Sequence, residues 1–382
     1  MESTPHSAET AGDFIRLAME AKGLTQKDLA FVLGVPPQLV SMLVTSKRNV
    51  SAELSKALAL VFDVPAELLL SLQKATELRE QLKRAKDPDP SVARKARLVS
   101  SFPVREMVKR GWIRDDPPSL EQQITKFFGS PLWAEKGTFA HAAYKSGSGG
   151  PTSEQLAWLC RVRQLAADML AAPFDDLSLG RALARLEKLL LSAEEIRHVP
   201  RVLAECGIRF VVVEQLPGAK IDGACFWLND RAPVVGMSLR YDRIDNFWFV
   251  LRHELEHVRL RHGVSAPMLD AELEGEKAGT GDAVVEEERL ANAAAAQFCV
   301  PQDKLANFIA RKSPFLSERN IIAFARTMNV HSGIVAGQLQ RHTGRYDLFR
   351  KHQVKVRSIV APSATVDGWG DVAQIGDLDV TA

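Results

Sequence analysis

The sequence has few cysteines and no CxxC motif. Its four cysteines are scattered along the chain, so they predict neither a zinc knuckle nor a disulfide framework. The sequence also lacks a run of about 18 apolar residues, which a membrane helix would need. Its first residues lack the basic and apolar regions of a secretory signal. We therefore expect a cytoplasmic protein that makes no membrane contact.

A strong net charge is also missing. The 49 Lys and Arg residues nearly balance 47 Asp and Glu residues, which leaves a formal charge of +2. The balance conceals a basic segment at 74–114, where twelve basic residues face five acidic ones, whereas 1–73 has six against eight. Total charge therefore does not exclude DNA binding. The basic segment is a candidate source of phosphate contacts, although its composition is also typical of a solvated helix face.

The length of 382 residues and the average composition predict two or three globular domains. Hydrophobic periodicity and turn residues divide the chain into four regions. These are five short helices at 10–73, a basic linker and helical middle region at 74–200, a mixed domain at 201–345 and a C-terminal extension at 346–382. The predicted fold class is mainly α with a small α+β domain.

The mixed domain has two kinds of pattern. Short apolar runs rich in β-branched residues predict strands at 208–213, 221–228 and 233–239. A helix is predicted at 242–261, followed by an acidic loop at 270–287 and an Ala-rich helix that starts at Glu288. The pattern indicates a small sheet that packs against helices.

Two histidines lie inside the predicted helix at 242–261. They frame the run His253-Glu254-Leu255-Glu256-His257, an HExxH motif. Residues four apart share one helix face and lie about 6 Å apart along the axis, so both imidazoles can bind one metal ion. Glu254 lies next to a ligand, where it can act as general base. The motif predicts a zinc peptidase, and two unrelated histidines on a solvated helix face are the alternative.

A catalytic zinc site needs a third protein ligand. The metzincin pattern is excluded, because Leu260 and Gly263 stand where it requires Gly and His, and His262 is predicted to face solvent. The remaining source is a carboxylate at the start of the Ala-rich helix. We choose Glu288, whose helix face continues through small side chains, and interpret its neighbours as solvated. The small side chains are Asn292, Ala295, Ala296 and Cys299.

The run Glu288-Arg289-Leu290-Ala291-Asn292, together with Phe247-Trp248-Phe249 before the HExxH motif, resembles the ImmA/IrrE family of metallopeptidases over about residues 200–345. The resemblance implies a minimal zincin fold in which His253, His257 and Glu288 bind Zn²⁺. It also implies that Glu254 is the general base and that the substrate is a DNA-binding repressor protein.

Zincins align the peptide on an edge strand, so the strand at 221–228 or the one at 233–239 is a candidate substrate rail. Both could instead be paired core strands. His331, before Ser332-Gly333-Ile334, is similar to a family segment. It is a candidate contact to the substrate or the transition state, and a capping or surface role is the alternative.

At the other end of the chain, the run Thr25-Gln26, Leu29-Ala30, Gly34-Val35, Ser41 and Lys47-Arg48 resembles the helix-turn-helix of XRE/Cro repressors. The run Val50-Ser51-Ala52-Glu53 resembles HigA-type antitoxins. Over 10–73 the resemblance implies a five-helix, λ-repressor-like domain that binds a double-stranded DNA operator.

The same resemblance implies roles for six side chains. Gln26, Lys47 and Arg48 would contact phosphates, while Gln38, Ser41 and Met42 would face base edges. Among the base-facing side chains, Gln38 alone can pair with adenine in a bidentate way, so we expect weak base readout. A helix-turn-helix that binds another protein is the alternative.

Together these patterns predict a transcriptional regulator whose zinc endopeptidase domain cleaves a repressor or antitoxin protein and so relieves repression. The alternative is a non-enzymatic HigA-like antitoxin or transcription factor, in which the zincin domain senses a ligand or binds a partner such as a toxin. A homodimer is a candidate assembly, because operator half-sites are commonly paired.

Overall fold

The computed structural model describes residues 8–129, 151–264, 267–271, 286–313 and 315–369. The chain forms two compact units, Met1–Asp89 and Pro90–Ala382. These limits differ from the four predicted regions: the first unit continues beyond residue 73, and a single second unit takes up the middle, mixed and C-terminal regions. The described residues are mainly helical, with one small mixed sheet.

The first unit contains five helices, as predicted. They are α1 (Ala11–Ala21), α2 (Gln26–Leu33), α3 (Pro37–Val44), α4 (Ala52–Phe62) and α5 (Ala66–Arg84). Their apolar faces meet in one core that includes Ile15, Leu29, Val40 and Leu58. Helix α5 extends beyond residue 73, the predicted end of the five-helix region, and continues to Arg84. It ends before the prolines at 88 and 90, which cannot continue a helix.

Most of the second unit is helical. The helices among its described residues are α6 (Ser91–Ser101), α7 (Val104–Lys109), α8 (Leu120–Phe128), α9 (Ser153–Ala167), α10 (Asp176–Leu189), α11 (Val199–Glu205), α12 (Ile244–Arg259), α13 (Glu286–Cys299), α14 (Gln302–Lys312), α15 (Glu318–Met328), α16 (Ser332–Thr343) and α17 (Arg357–Val360). Within the described ranges no single helix is long and apolar enough to cross a membrane. Only α2 and α3 taken together, bent by 117°, have that length and composition.

The second unit also holds a five-stranded sheet. Its strands are β1 (Arg209–Val213), β2 (Ile221–Trp227), β3 (Pro233–Met237), β4 (Met268–Ala271) and β5 (Thr365–Asp367), in the order β4-β2-β3-β1-β5. Strand β1 is parallel to β3 and β5, whereas β2 is antiparallel to β3 and β4. Three strands lie where the sequence predicts them. The expectation that β2 or β3 is an edge strand is wrong. Strand β4, where no strand was predicted, covers the edge of β2, and β3 lies between β2 and β1.

Both faces of the sheet are covered by helices. Because side chains alternate along a strand, Phe210 and Val212 face the core around α12, while Val211 and Val213 face the core around α9. A Cβ atom at Gly236 would lie 2.8 Å from a methyl group of Val162, so α9 packs very closely on β3. The helical middle region is therefore one layer of the second unit.

The C-terminal region completes this unit. Strand β5 pairs with β1, and its Asp367 accepts a hydrogen bond from Trp112 Nε1 at 2.9 Å and forms a buried ion pair with Arg161 of α9. Both partners of the ion pair are almost fully buried. The predicted C-terminal extension thus belongs to the sheet as far as Asp367, and 370–382 lies outside the described residues.

Candidate metal centre and DNA-binding surface

Helix α12 carries the HExxH motif through the centre of the second unit. Its first turns contain the apolar run Phe247–Leu251, which is buried on all sides between the sheet and the later helices. The helix ends at Arg259, and Arg261 and Gly263 follow with positive φ angles. This packing fixes the helix that holds both histidines, and their side chains are fully buried.

Four side chains converge beside this helix. The Nε2 atoms of His253 and His257 lie 3.0 Å apart. The Glu288 carboxylate lies 3.2 Å from His253 Nε2 and 3.6 Å from His257 Nε2. The Asp270 carboxylate lies 3.4 Å and 3.8 Å from the same two atoms. All four ligand atoms lie within 4.8 Å of one another. We call these residues the ligand group.

The structure therefore brings together the three predicted ligands and adds Asp270. The small side chains of α13 allow its close approach to α12, and Ala291, Ala295 and Cys299 are buried there. Asp270 was missed, because its segment was predicted as an acidic loop. The sequence carries no clear signal for it, because the run Met268-Leu269-Asp270 is short and does not alternate between apolar and polar side chains.

The spacing of the ligand group fits a tetrahedral metal ion. Two ligands that each lie about 2.1 Å from a tetrahedral zinc are roughly 3.4 Å apart. The five separations between histidine and other ligand atoms run from 3.0 to 3.8 Å. Imidazoles and carboxylates are ligands of zinc and of other divalent transition metals. These residues therefore could hold a metal ion.

The charges in the ligand group affect one another. Burial disfavours the charged form of His253, but the carboxylates of Asp270 and Glu288 outweigh burial and raise its pKa to about 9. Burial lowers the pKa of His257 to about 4, although the negative charge of Asp270 acts in the opposite direction. Burial also raises the pKa of Glu288, in the same direction as the charge of Asp270. The group thus concentrates negative charge that a cation would neutralise.

Glu254 lies on the sheet side of α12. A Cβ atom at Gly223 of β2 would clash with its carboxylate, so glycine leaves the space that Glu254 occupies. Both carboxylate oxygens are buried. Burial, together with the nearby charge of Asp270, raises the pKa of Glu254 well above its usual range. Glu254 is a buried acid beside the ligand group and is not a member of it.

His262 has a different position from the predicted one. Its side chain is half-buried, and its Nδ1 lies 2.9 Å from Nδ1 of His257. One of these two nitrogens donates and the other accepts. Such a contact to the nitrogen remote from a metal fixes the ring orientation of a ligand histidine. His262 therefore positions His257, which the sequence analysis did not foresee.

His331 is not brought to the ligand group. It is the N-cap of α16, where its Nδ1 accepts a hydrogen bond from the Gly333 amide at 3.0 Å. Its own amide donates to the Leu190 carbonyl at 2.7 Å. In addition, Gly333 packs against Ile244, at the start of α12 and more than two turns from His253. The structure therefore gives His331 the capping role, which was the alternative to a contact with the substrate or the transition state.

In the first unit, α2 and α3 form a helix-turn-helix. The helices are bent by 117°, and Gly34 joins them with a φ angle of 67°. An angle of this size between the two helices is typical of a helix-turn-helix. A capping box between Thr25 and Asp28 starts α2. Beside it lies a groove lined by Thr25, Gln26, Lys27, Pro37, Gln38 and Ser41.

The structure therefore places Gln26 next to Gln38 and Ser41, as the DNA-binding prediction requires. Met42 is exposed one residue further along α3. Lys47 and Arg48 are exposed in the turn after α3, where both amides donate to the Met42 carbonyl, at 2.9 and 3.2 Å. The six predicted DNA contacts thus lie on α2, α3 and the turn that follows α3.

The comparisons with known proteins bear on this first unit. Residues 15–69 match the HTH_3 family, described as helix-turn-helix. The first unit carries an XRE-type helix-turn-helix. This match supports a DNA-binding transcriptional regulator, and the helix-turn-helix indicates DNA as a partner. A comparison with curated proteins finds no match for the chain.

Lys47 and Arg48 provide a test of the DNA-binding surface. We expect the double variant Lys47→Ala/Arg48→Ala to bind operator DNA about 10- to 100-fold more weakly, because two phosphate contacts are lost. The slope of log affinity against log salt should fall by about 2. The measurement is fluorescence anisotropy over a salt series. The variant Lys22→Ala/Lys56→Ala removes two exposed lysines outside the helix-turn-helix and should keep the wild-type slope. Equal slopes for both variants and wild type would contradict the assignment.

Proposed function

We propose that the second unit is a zinc-dependent endopeptidase, so that the chain is a DNA-binding regulator that cleaves a repressor or antitoxin protein and thereby relieves repression. The observation that carries this proposal is the convergence of His253, His257 and Glu288 beside a buried Glu254. Three such ligands with a neighbouring carboxylate are the composition of zinc peptidase sites.

Each residue has a role in this proposal. His253, His257 and Glu288 would hold the zinc, and His262 would keep His257 in its orientation. A bound Zn²⁺ supplies a Lewis acid that makes a water molecule more acidic and polarises a peptide carbonyl. Glu254 would take a proton from the attacking water and pass it to the leaving amine. Burial of Glu254 favours this exchange, because a carboxylate in a low-dielectric site binds a proton more readily.

The substrate class rests on the resemblance to the ImmA/IrrE family and on the DNA-binding unit of the same chain. A regulator that carries its own helix-turn-helix can be directed to DNA where repressors are bound. If a repressor or antitoxin is encoded beside the gene of this protein, it is the first substrate to test.

The variant His253→Ala tests the metal centre and the activity together. We expect about one zinc per chain in the wild type and less than a tenth of that in the variant, because a zinc site of this kind depends on each imidazole. Cleavage of the neighbouring repressor or antitoxin should stop in the variant and in chelated wild type. The variant His342→Ala, which removes an exposed histidine on α16, serves as the control. An unchanged zinc content in His253→Ala would contradict the assignment of the site.

The fourth member of the ligand group favours a second candidate function. If Asp270 stays bound together with the other three ligands, a tetrahedral metal has no free position. The second unit would then be a non-enzymatic metal-holding module that senses a ligand or binds a partner protein. A stoichiometric zinc content without any cleavage of the candidate substrates would favour this function.

A further inference from the structure

Strand β4 lies on the edge of the sheet nearest to the ligand group. It pairs antiparallel with β2, with Asp270 opposite Gly223, Leu269 opposite Ala224 and Met268 opposite Cys225. Gly223 is the residue that leaves room for Glu254. If β4 were removed, the edge of β2 beside Glu254 would be open. A peptide that added to this edge as a strand would have its backbone beside the proposed general base.

The side chains of β4 alternate between the two faces of the sheet. Leu269 packs into the core around α9, whereas Met268 packs into the core around α12. Asp270 follows two residues after Met268 and therefore points to the α12 face. There its carboxylate lies 3.4 Å from His253 Nε2 and 3.8 Å from His257 Nε2. Pairing of β4 with β2 thus places Asp270 in the ligand group.

The number of protein ligands decides whether a metal ion in this site has a position left for water. A catalytic zinc keeps three protein ligands and one open position, whereas a closed site has four. With Asp270 included, the group offers four ligand atoms, which all lie within 4.8 Å of one another. Strand β4 therefore blocks two things at once. Its Asp270 fills the metal position that a water molecule would need, and its backbone covers the edge of β2 that a peptide would need.

We propose that β4 is an inhibitory strand, which occupies the substrate-binding edge of β2 and closes the metal centre through Asp270. This inference rests on the proposed endopeptidase function. A substrate strand would displace β4, exchange its backbone hydrogen bonds for equivalent ones and release the Asp270 carboxylate. The exchange is feasible because β4 has four residues and, within the part of the chain that the structure describes, pairs only with β2.

Two variants separate the two effects of β4. Asp270→Asn weakens the fourth ligand but keeps the size of the side chain. Leu269→Ala weakens the packing of β4 against the core around α9 and keeps the chemical identity of Asp270 unchanged. The control is Asp230→Asn, the same chemical change at an exposed residue between β2 and β3. All variants are made in the full chain, and circular dichroism confirms that they are folded.

Three measurements are made on each variant. They are zinc affinity by competition with a chelator, the visible absorption spectrum of the Co²⁺-loaded protein, and the rate of cleavage of the neighbouring repressor or antitoxin. For Asp270→Asn we expect zinc affinity to fall by about tenfold or more, an altered cobalt spectrum and cleavage about tenfold faster. Leu269→Ala should also cleave faster, and Asp230→Asn should match the wild type in all three measurements.

The possible failures can be told apart. If zinc affinity and the cobalt spectrum stay unchanged in Asp270→Asn, Asp270 is not a ligand and the inference is overturned. It is also overturned if wild type cleaves and Asp270→Asn is no faster, because weakening of the Asp270 ligand would then relieve no inhibition. If the spectrum changes but neither wild type nor any variant cleaves, the proposed endopeptidase function fails, and inhibition fails with it.

Discussion

Replacement of Glu254 with glutamine is expected to abolish peptide cleavage without loss of the metal. Glutamine has the same shape as glutamate but cannot take a proton from water. General acid–base catalysis contributes about 10²- to 10⁴-fold to a rate, so cleavage by Glu254→Gln should fall by at least about 100-fold. Zinc content should stay at the wild-type value, because Glu254 lies outside the ligand group. Cleavage is measured by electrophoresis and zinc by atomic absorption.

The control for this experiment is Glu187→Gln, which makes the same change at an exposed residue of α10. It should cleave at the wild-type rate. DNA binding should be unchanged in both variants, since both changes lie in the second unit. Cleavage at the wild-type rate by Glu254→Gln would exclude Glu254 as the general base, whereas the absence of cleavage by the wild type would favour the non-enzymatic function.

The largest effect on stability is expected from Asp367→Ala. This change leaves the Arg161 guanidinium buried without its ion-pair partner and removes the acceptor of the Trp112 hydrogen bond. Removal of one partner of a buried ion pair costs about 3–5 kcal/mol of the free energy of unfolding. Urea unfolding followed by tryptophan fluorescence measures this loss in the second unit, because all six tryptophans of the sequence lie after residue 90.

An exposed ion pair of the same unit gives the comparison. Arg345 and Asp347 lie 2.8 Å apart, and both side chains are more than half exposed. Asp347→Ala should therefore cost less than about 1 kcal/mol. The double change Arg161→Met/Asp367→Leu should recover part of the loss, because an apolar pair leaves no buried charge. Equal destabilisation by Asp367→Ala and Asp347→Ala would show that the buried pair does not hold β5 to α9.

The parts of the site that lie on a single helix could be predicted from the sequence. The spacing of His253 and His257 places both on one face of α12, and the structure shows both imidazoles together. The small residues on one face of α13 correctly indicated which acidic residue lies near α12. Both inferences depend on helix geometry alone, which residue spacing determines. The helix-turn-helix was predictable for the same reason, because its glycine and its apolar positions are local signals.

The features that were missed depend on contacts between distant segments. Strand β4 has only four residues, and no alternation distinguishes it from the acidic stretch that follows. Its pairing with β2 brings Asp270 to the histidines, and residue spacing carries no information about that pairing. The helical middle region was separated from the mixed domain for a similar reason. Only the packed structure shows that Trp158 and Val162 cover the second face of the sheet.

The position of β5 at the far end of the chain also determines when the second unit can finish folding. Arg161 and Asp367 are 206 residues apart in the sequence. At about 5–20 residues per second of synthesis, β5 emerges from the ribosome roughly 15 to 55 s after Asp89, the last residue of the first unit. The helix-turn-helix can therefore fold while the second unit still lacks its last strand. During translation the DNA-binding unit of this protein is complete well before the unit that carries the metal centre.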